Sequence, residues 1–221
     1  NLIITCKVGE KVPKQTFFNL PDEKKERLLK AAYSEFSKVS LDESSINAII
    51  HESGISRGSF YQYFVDKEDL YFYCAHLLKK DEKAQVDKCF EVAEGNLFDG
   101  LKRTFDILYD SYTTGPNKDF YHHFFVNMTY RKSRNIYDEK NQQPVKPHKH
   151  EYPDIVRMLD QSTLNFSSEQ ELQDFLQYTF QIIHWTIARS FLKKLSKEEA
   201  HEEVNQRLTW LENGIIKNKG G

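Results

Sequence analysis

The sequence predicts an all-α protein: a small N-terminal domain of three helices, joined through a fourth helix to a larger helical domain. Three observations predict it. Apolar residues recur three and four positions apart over most of the chain, the pattern of helices buried on one face. The 221 residues hold only six prolines and nine glycines, few for a loop-rich β fold. Ser and Asp residues, several followed by Glu, stand in front of the apolar stretches as they do at helix N-termini.

Taken in order, residues 1–19 mix Lys7, Lys11 and Lys14 with Glu10, and nothing periodic follows, so a flexible arm is expected there. Pro21 suits the first turn of a helix, and Asp22 and Glu23 lie where its dipole favours acids. Leu28, Leu29, Ala32 and Phe36 give that helix one apolar stripe, which ends near Val39. Ser44 is a good N-cap for a short second helix with Ile46, Ile49 and Ile50 on its inner side, and Gly54, free to take positive φ, ends it. Ser56 caps a third short helix through Phe64. Asp66-Lys67-Glu68-Asp69 then opens a fourth that runs to about Phe90.

Further helices are expected near 97–113, 118–134, 151–161, 168–195 and 197–217. A polar loop over Asp138–Lys149 holds Pro144 and Pro147. Ser168 with Glu171 and Ser196 with Glu199 read as capping boxes for the last two helices. The domain bounds are an arm over 1–19, a helix-turn-helix domain over 20–66 and a helical domain over 67–218.

A formal net charge of -2 advertises no global basic field, so any nucleic-acid contact must be local. Three cysteines, Cys6, Cys74 and Cys89, lack the C-x-x-C spacing of a metal site, and their odd number speaks against a disulfide framework. A reducing cytoplasm is the expected home. Leu2-Ile3-Ile4 is far shorter than a signal-peptide core or the roughly 20 residues of a membrane span, so no membrane partner is expected.

Residues 44–64 carry the chemistry. They read helix, tight turn at Ser53-Gly54-Ile55, helix, a helix-turn-helix with Gly where the turn needs it. On the second helix Phe60 and Phe64 lie four apart and must point into the core, which fixes the opposite face as Arg57, Gly58, Tyr61 and Gln62. A guanidinium suits phosphate or guanine, a residue without a side chain permits close approach, a phenol suits phosphate and an amide suits adenine. Ser56, Ser59 and Tyr63 flank this face, and Lys67 follows at the start of the fourth helix, where backbone N–H groups and the dipole favour a phosphate.

The run from Ser45 through Gly54-Ile55-Ser56-Arg57-Gly58-Ser59-Phe60-Tyr61-Gln62-Tyr63-Phe64 to Asp66-Lys67-Glu68-Asp69-Leu70 resembles the signature of TetR-family repressors over roughly residues 18–72. The resemblance implies that Ser45, Arg57, Ser59, Tyr61, Tyr63 and Lys67 contact phosphates or base edges of double-stranded operator DNA and that Gln62 reads a base. The chain departs from the family pattern at Tyr63, often His, at Phe60, often Leu, and at Ser53, often Ala. The near balance of acidic and basic side chains over residues 22–80 would by itself vote against DNA, and the aligned signature outweighs it.

The helical domain is rich in aromatic residues, among them Phe120, Tyr121, Phe125 and Tyr130, most of which would serve ordinary core packing. The resemblance to ligand-sensing repressors implies that Phe105, Tyr109, Tyr112, Phe124, Met128, Phe175, Tyr178 and Trp185 line a site for a small apolar or aromatic ligand. The helix over 168–195 is apolar around much of its circumference, and the last helix adds a second stripe. Ile183, Ile187, Phe191, Val204, Leu208 and Leu211 are therefore expected at a homodimer interface, as in TetR-family dimers, although both helices could instead close their own subunit's core.

His122-His123 and the pair His148 and His150 lack a completing Cys or carboxylate spacing, so no metal or cofactor is expected. No nucleophile triad, catalytic acid pair or glycine-rich phosphate loop stands out, and an enzyme is not expected. The resulting reading is a homodimeric transcriptional repressor that a ligand releases from its operator. The alternative is a DNA-binding architectural or cell-division factor without an inducer.

Overall fold

A computed structural model describes residues 13–135 and 152–215, with side chains for 13–80, 82–126 and 152–214. Among the described residues there is no strand. The helices are α1 Gln15–Phe18, α2 Asp22–Lys38, α3 Ile46–Ser53, α4 Arg57–Tyr63, α5 Lys67–Val92, α6 Leu97–Thr113, α7 Lys118–Asn135, α8 Pro153–Met158, α9 Glu169–Lys193 and α10 Lys197–Ile215, with a 3-10 turn over Gln161–Thr163 between α8 and α9. The expected Asp138–Lys149 loop, and His148 and His150 with it, lies outside the described residues.

Most helix ends follow from their caps. Ser196 accepts from the Glu199 N–H at 3.2 Å while the Glu199 carboxylate takes the Ser196 N–H at 2.8 Å, a reciprocal capping box. At α9 the box is displaced: Ser168 accepts from the Glu171 N–H, but the Glu171 carboxylate reaches back to the Ser167 N–H at 2.6 Å. At α3 the cap is Ser45, not Ser44. Ser45 accepts from the Ala48 N–H and gives its own N–H to the Glu35 carboxylate of α2 at 2.7 Å, whereas Ser44 is buried and spends its hydroxyl on the Leu41 carbonyl. Gly54 ends α3 at φ 70, as expected of a residue with no Cβ.

Two stretches differ from expectation. The helix expected over 151–161 stops at Met158, because Asp160 turns the chain by accepting from both the N–H and the hydroxyl of Ser162. In the expected arm, Gln15–Phe18 form one helical turn with Phe17 buried; residues 1–12 lie outside the described residues.

The described residues fall into two compact units. The first holds α1 to α4, α5 as far as Lys80, and α7, so it extends well beyond residue 66. The reason is aromatic packing. Phe36 of α2 meets the Tyr71 ring edge-on at 4.9 Å, and Tyr71 in turn contacts Phe120 and Phe124 of α7. Tyr33 adds a ring contact with Phe120 and donates its hydroxyl to the Cys74 carbonyl at 2.8 Å. Leu28, Ala32, Phe36, Ile49, Phe60, Phe64 and Leu70 are fully buried within this core.

The second unit holds residues 81–112 of α5 and α6 together with α8, α9 and α10. Leu101, Phe105, Leu176, Ile183, Ile187, Val204 and Leu208 are fully buried in it. Gly100 lets α6 lie against Phe90, since a Cβ there would stand 2.5 Å from the ring. Cys74 in the first unit and Cys89 in the second are free and buried, and burial pushes both thiols up, away from the reactive thiolate.

Candidate nucleic-acid interface

The site is built on α4, a seven-residue helix. Phe60 and Phe64 anchor it with no exposed surface, which leaves Arg57, Gly58, Tyr61 and Gln62 on the solvent side, as the sequence predicts. Ser56 starts the helix by accepting the Ser59 N–H at 3.1 Å, and the two hydroxyls lie 2.8 Å apart. Gly58 is not demanded by the fold: a Cβ there would meet only the Ser56 hydroxyl, at 3.9 Å. An exposed helical Gly gives up about 1 kcal/mol relative to Ala, and nothing around it within the subunit requires that loss.

Arg57 is already oriented. Its guanidinium donates to Asn47 Oδ1 of α3 at 2.8 Å and to the Tyr61 hydroxyl at 3.4 Å, and it lies 5.6 Å from the Tyr61 ring centroid. Asn47 was not among the sequence-predicted residues. Its signal was its place on the exposed first turn of α3, two residues after the Ser45 cap. Tyr63 is half-buried, its ring 6.3 Å from Phe17.

Lys67 also has partners inside the subunit. Its ammonium donates to the carbonyls of Asp42 and Ser44, both at 2.9 Å, so α5 grips the loop that leads into α3. The start of α5, with its backbone N–H groups and dipole, suggests a phosphate contact; within the subunit two of the ammonium's three donors meet these carbonyls.

The predicted ligand residues are distributed over both units. Phe105, Tyr109 and Tyr112 are buried on α6 and Phe175 is half-buried on α9, all in the second unit, but Phe124 belongs to the first. Tyr178 and Trp185 are 54% and 50% exposed, on the outer face of α9. The Met128 and Tyr130 side chains lie outside those described.

A buried polar group that the sequence did not reveal accompanies the α6 aromatics. The Tyr112 hydroxyl donates to the buried Glu82 carboxylate at 2.8 Å, and the His184 ring lies 6.3 Å from Tyr112 with its Nδ1 2.7 Å from the Phe180 carbonyl. Tyr152 stacks on Phe180 at 4.7 Å, and burial pushes its phenol up to about 12. Within Asp81-Glu82-Lys83, Glu82 reads as one more solvated charge. Elsewhere the His122 and His123 rings lie 5.6 Å apart, and burial first, then the neighbouring His122, lowers the His123 pKa.

Of the predicted interface residues, Ile183, Ile187, Val204 and Leu208 are buried inside the subunit itself, and Phe191 and Leu211 are half-buried. The most apolar stripe of each helix serves the subunit's own core. Among the described side chains, the large apolar ones that α9 and α10 leave exposed are Tyr178, Trp185, Leu192 and Trp210. Trp185 lies beneath two guanidinium groups, Arg189 at 5.5 Å and Arg207 at 5.0 Å from its ring. Both arginines bond Glu203. Partial burial pushes the Glu203 carboxyl up, but the hydrogen bonds from Arg189 and Arg207 outweigh that and hold it below the ordinary range.

Comparison with known proteins adds to this geometry. Residues 28–74 match the family model described as bacterial regulatory proteins, tetR family, and residues 96–215 match that of the tetracyclin repressor-like C-terminal domain. The structure of a TetR transcriptional regulator from Rhodococcus sp. RHA1 is 14% identical, covers 86% of this chain and 94% of its own, and superposes with a TM-score of 0.52, a likeness of fold. A TetR family regulator from Chloroflexus aurantiacus J-10-FL is 21% identical over 94% of this chain and 100% of its own, with a TM-score of 0.42. No curated protein matches the chain.

Proposed function

Because the chain belongs to the TetR family of DNA-binding transcriptional regulators, we propose that it acts as a dimeric repressor that reads its operator with α4 and leaves it when a small ligand binds the second unit. The observation that carries this reading is the face of α4. Phe60 and Phe64 hold it from behind, Arg57 is pre-oriented by Asn47, and Gly58 leaves an open backbone that the fold does not need. Gln62, exposed beside them, has the amide that pairs with adenine.

Dimerisation would use the outer face of α9 and α10. Tyr178, Trp185, Leu192 and Trp210 are exposed there, and a second subunit would cover them. The ligand would be small and largely apolar or aromatic, held by side chains such as Phe105, Tyr109 and Tyr112, with the Glu82 and Tyr112 pair as its polar contact. It shifts the protein off DNA only if it binds the released state better than the bound one.

The test is a gel shift and footprint on the DNA upstream of the protein's own gene, with the parent and with Gln62→Ala. Protection of one or a few sites, weakened by about 1–3 kcal/mol in the variant, supports the reading. Protection of many dispersed sites favours an architectural factor, and no binding overturns the proposal.

A further inference from the structure

Among the described residues the N-terminal segment ahead of α2 does one specific thing: it closes the C-terminal end of α4. A helix leaves its last four carbonyls without partners inside the helix. In α4 these belong to Phe60, Tyr61, Gln62 and Tyr63. The Phe60 carbonyl takes the Phe64 N–H at 2.9 Å. The other three are met from the N-terminal segment: Tyr61 by the Lys14 ammonium at 3.3 Å, Gln62 by the Thr16 hydroxyl, and Tyr63 by the Lys14 N–H at 2.9 Å.

The same segment drives Phe17 into the core, where its ring lies 5.2 Å from Phe64 and 5.3 Å from Tyr73. A helix of seven residues is too short to persist on its own, so its last turn depends on these outside partners. The segment also lies ahead of residue 28, where the match to the family model of the N-terminal domain begins.

We propose that Lys14, Thr16 and Phe17 form a positioning clamp for the recognition helix: they hold its last turn, and with it Tyr61 and Gln62, in the orientation that reads base edges. The inference rests on the reading that α4 contacts DNA. The clamp acts on the helix and not on the nucleic acid, so its loss falls on sequence discrimination. Binding that depends on charge alone is untouched, because phosphate contacts are counted by cations and not by helix order.

The experiment uses the full chain and two duplexes, one carrying the footprinted sequence and one scrambled. Thr16→Val removes the hydroxyl and keeps the shape; Thr16→Ser restores the donor. The variant should bind the operator about fivefold more weakly per half-site, the equivalent of one neutral hydrogen bond, bind the scrambled duplex as the parent does, and recover with Ser. Phe17→Leu, checked for native helicity, should show the same selective loss. Equal operator affinity in Thr16→Val and parent, or equal weakening on both duplexes, overturns the clamp. Gln62→Ala is the control: if it too binds the operator like the parent, the reading of α4 fails; if it weakens binding while Thr16→Val does not, only the clamp fails.

Discussion

Lys67 stands where a phosphate contact is expected, yet its ammonium is committed to the Asp42 and Ser44 carbonyls at 2.9 Å each. Replacing it with Met keeps the aliphatic stem and removes both bonds. A bond from a charged donor contributes about 1.5–3 kcal/mol; water can reach this half-exposed site and recovers part of that, so about 2 kcal/mol is expected for the pair. In a chain of this size each kcal/mol moves the midpoint by about 2–4 °C, so thermal unfolding should begin about 4–8 °C lower. Specific binding should weaken with it, because the loop that positions α3 loosens. The slope of log affinity against log salt should stay as in the parent, whereas a lost phosphate contact would reduce it by about 0.9 per subunit. Circular dichroism melting and a salt titration by fluorescence anisotropy read the two quantities. An unchanged melting temperature together with a flattened salt slope would refute the structural role and return Lys67 to the DNA.

Other outcomes follow from the same geometry. Gly100→Ala should destabilise: helix propensity favours Ala by about 1 kcal/mol, but a Cβ 2.5 Å from the buried Phe90 ring overpacks the core by about 1–3 kcal/mol, and Phe90→Leu should recover part of the loss in a denaturant titration. Trp185→Glu and Trp210→Glu should give a folded monomer by sedimentation, whereas Ile183→Asp, aimed at the subunit's own core, should unfold it; dimers that survive both Trp changes would remove this face from the interface. Glu203 has a folded-state pKa below its unfolded value of 4.5, so the stability it adds is present above that pH and lost as pH falls through the folded value. The melting-temperature gap between the parent and Glu203→Gln should therefore be full at neutral pH and close in acid; a gap that persists in strong acid argues against the Arg189 and Arg207 pairing. The Gln62→Ala loss on operator DNA completes the set.

Much of this was legible in the chain because it depends on local pattern. The bounds of α6 and α7, the Gly54 turn, the Ser56 cap and the inward aim of Phe60 and Phe64 all follow from spacing and propensity within a few residues. What was not legible depends on distant partners. The turn Gln15–Phe18 has no periodicity to announce it and is held by carbonyls 46 and 47 positions away. The intramolecular partners of Lys67 are not legible because an ammonium at a helix start serves a phosphate or a carbonyl equally well, and only the fold brings Asp42 and Ser44 to it. Ile183, Ile187, Val204 and Leu208 form the stripe that hydrophobicity picks out, but periodicity cannot say whether a stripe faces its own subunit or a second one. Glu82, flanked by Asp81 and Lys83, carries no sign that it turns inward to Tyr112.

The chain has two tryptophans, and both stand on the exposed face of α9 and α10. Light at the red edge of the absorption band, which tyrosine does not absorb, therefore excites only this face, and the unit that holds α4 contributes no emission of its own. The protein carries its native optical probes in one unit. Self-association that covers Trp210 should shift its emission to the blue without any label, and a change in the Arg189 and Arg207 sandwich should alter the quenching of Trp185. Operator DNA added to a preformed dimer is the informative case: since no tryptophan lies in the unit that holds α4, any spectral response to DNA measures directly how far a binding event at one unit is felt at the other.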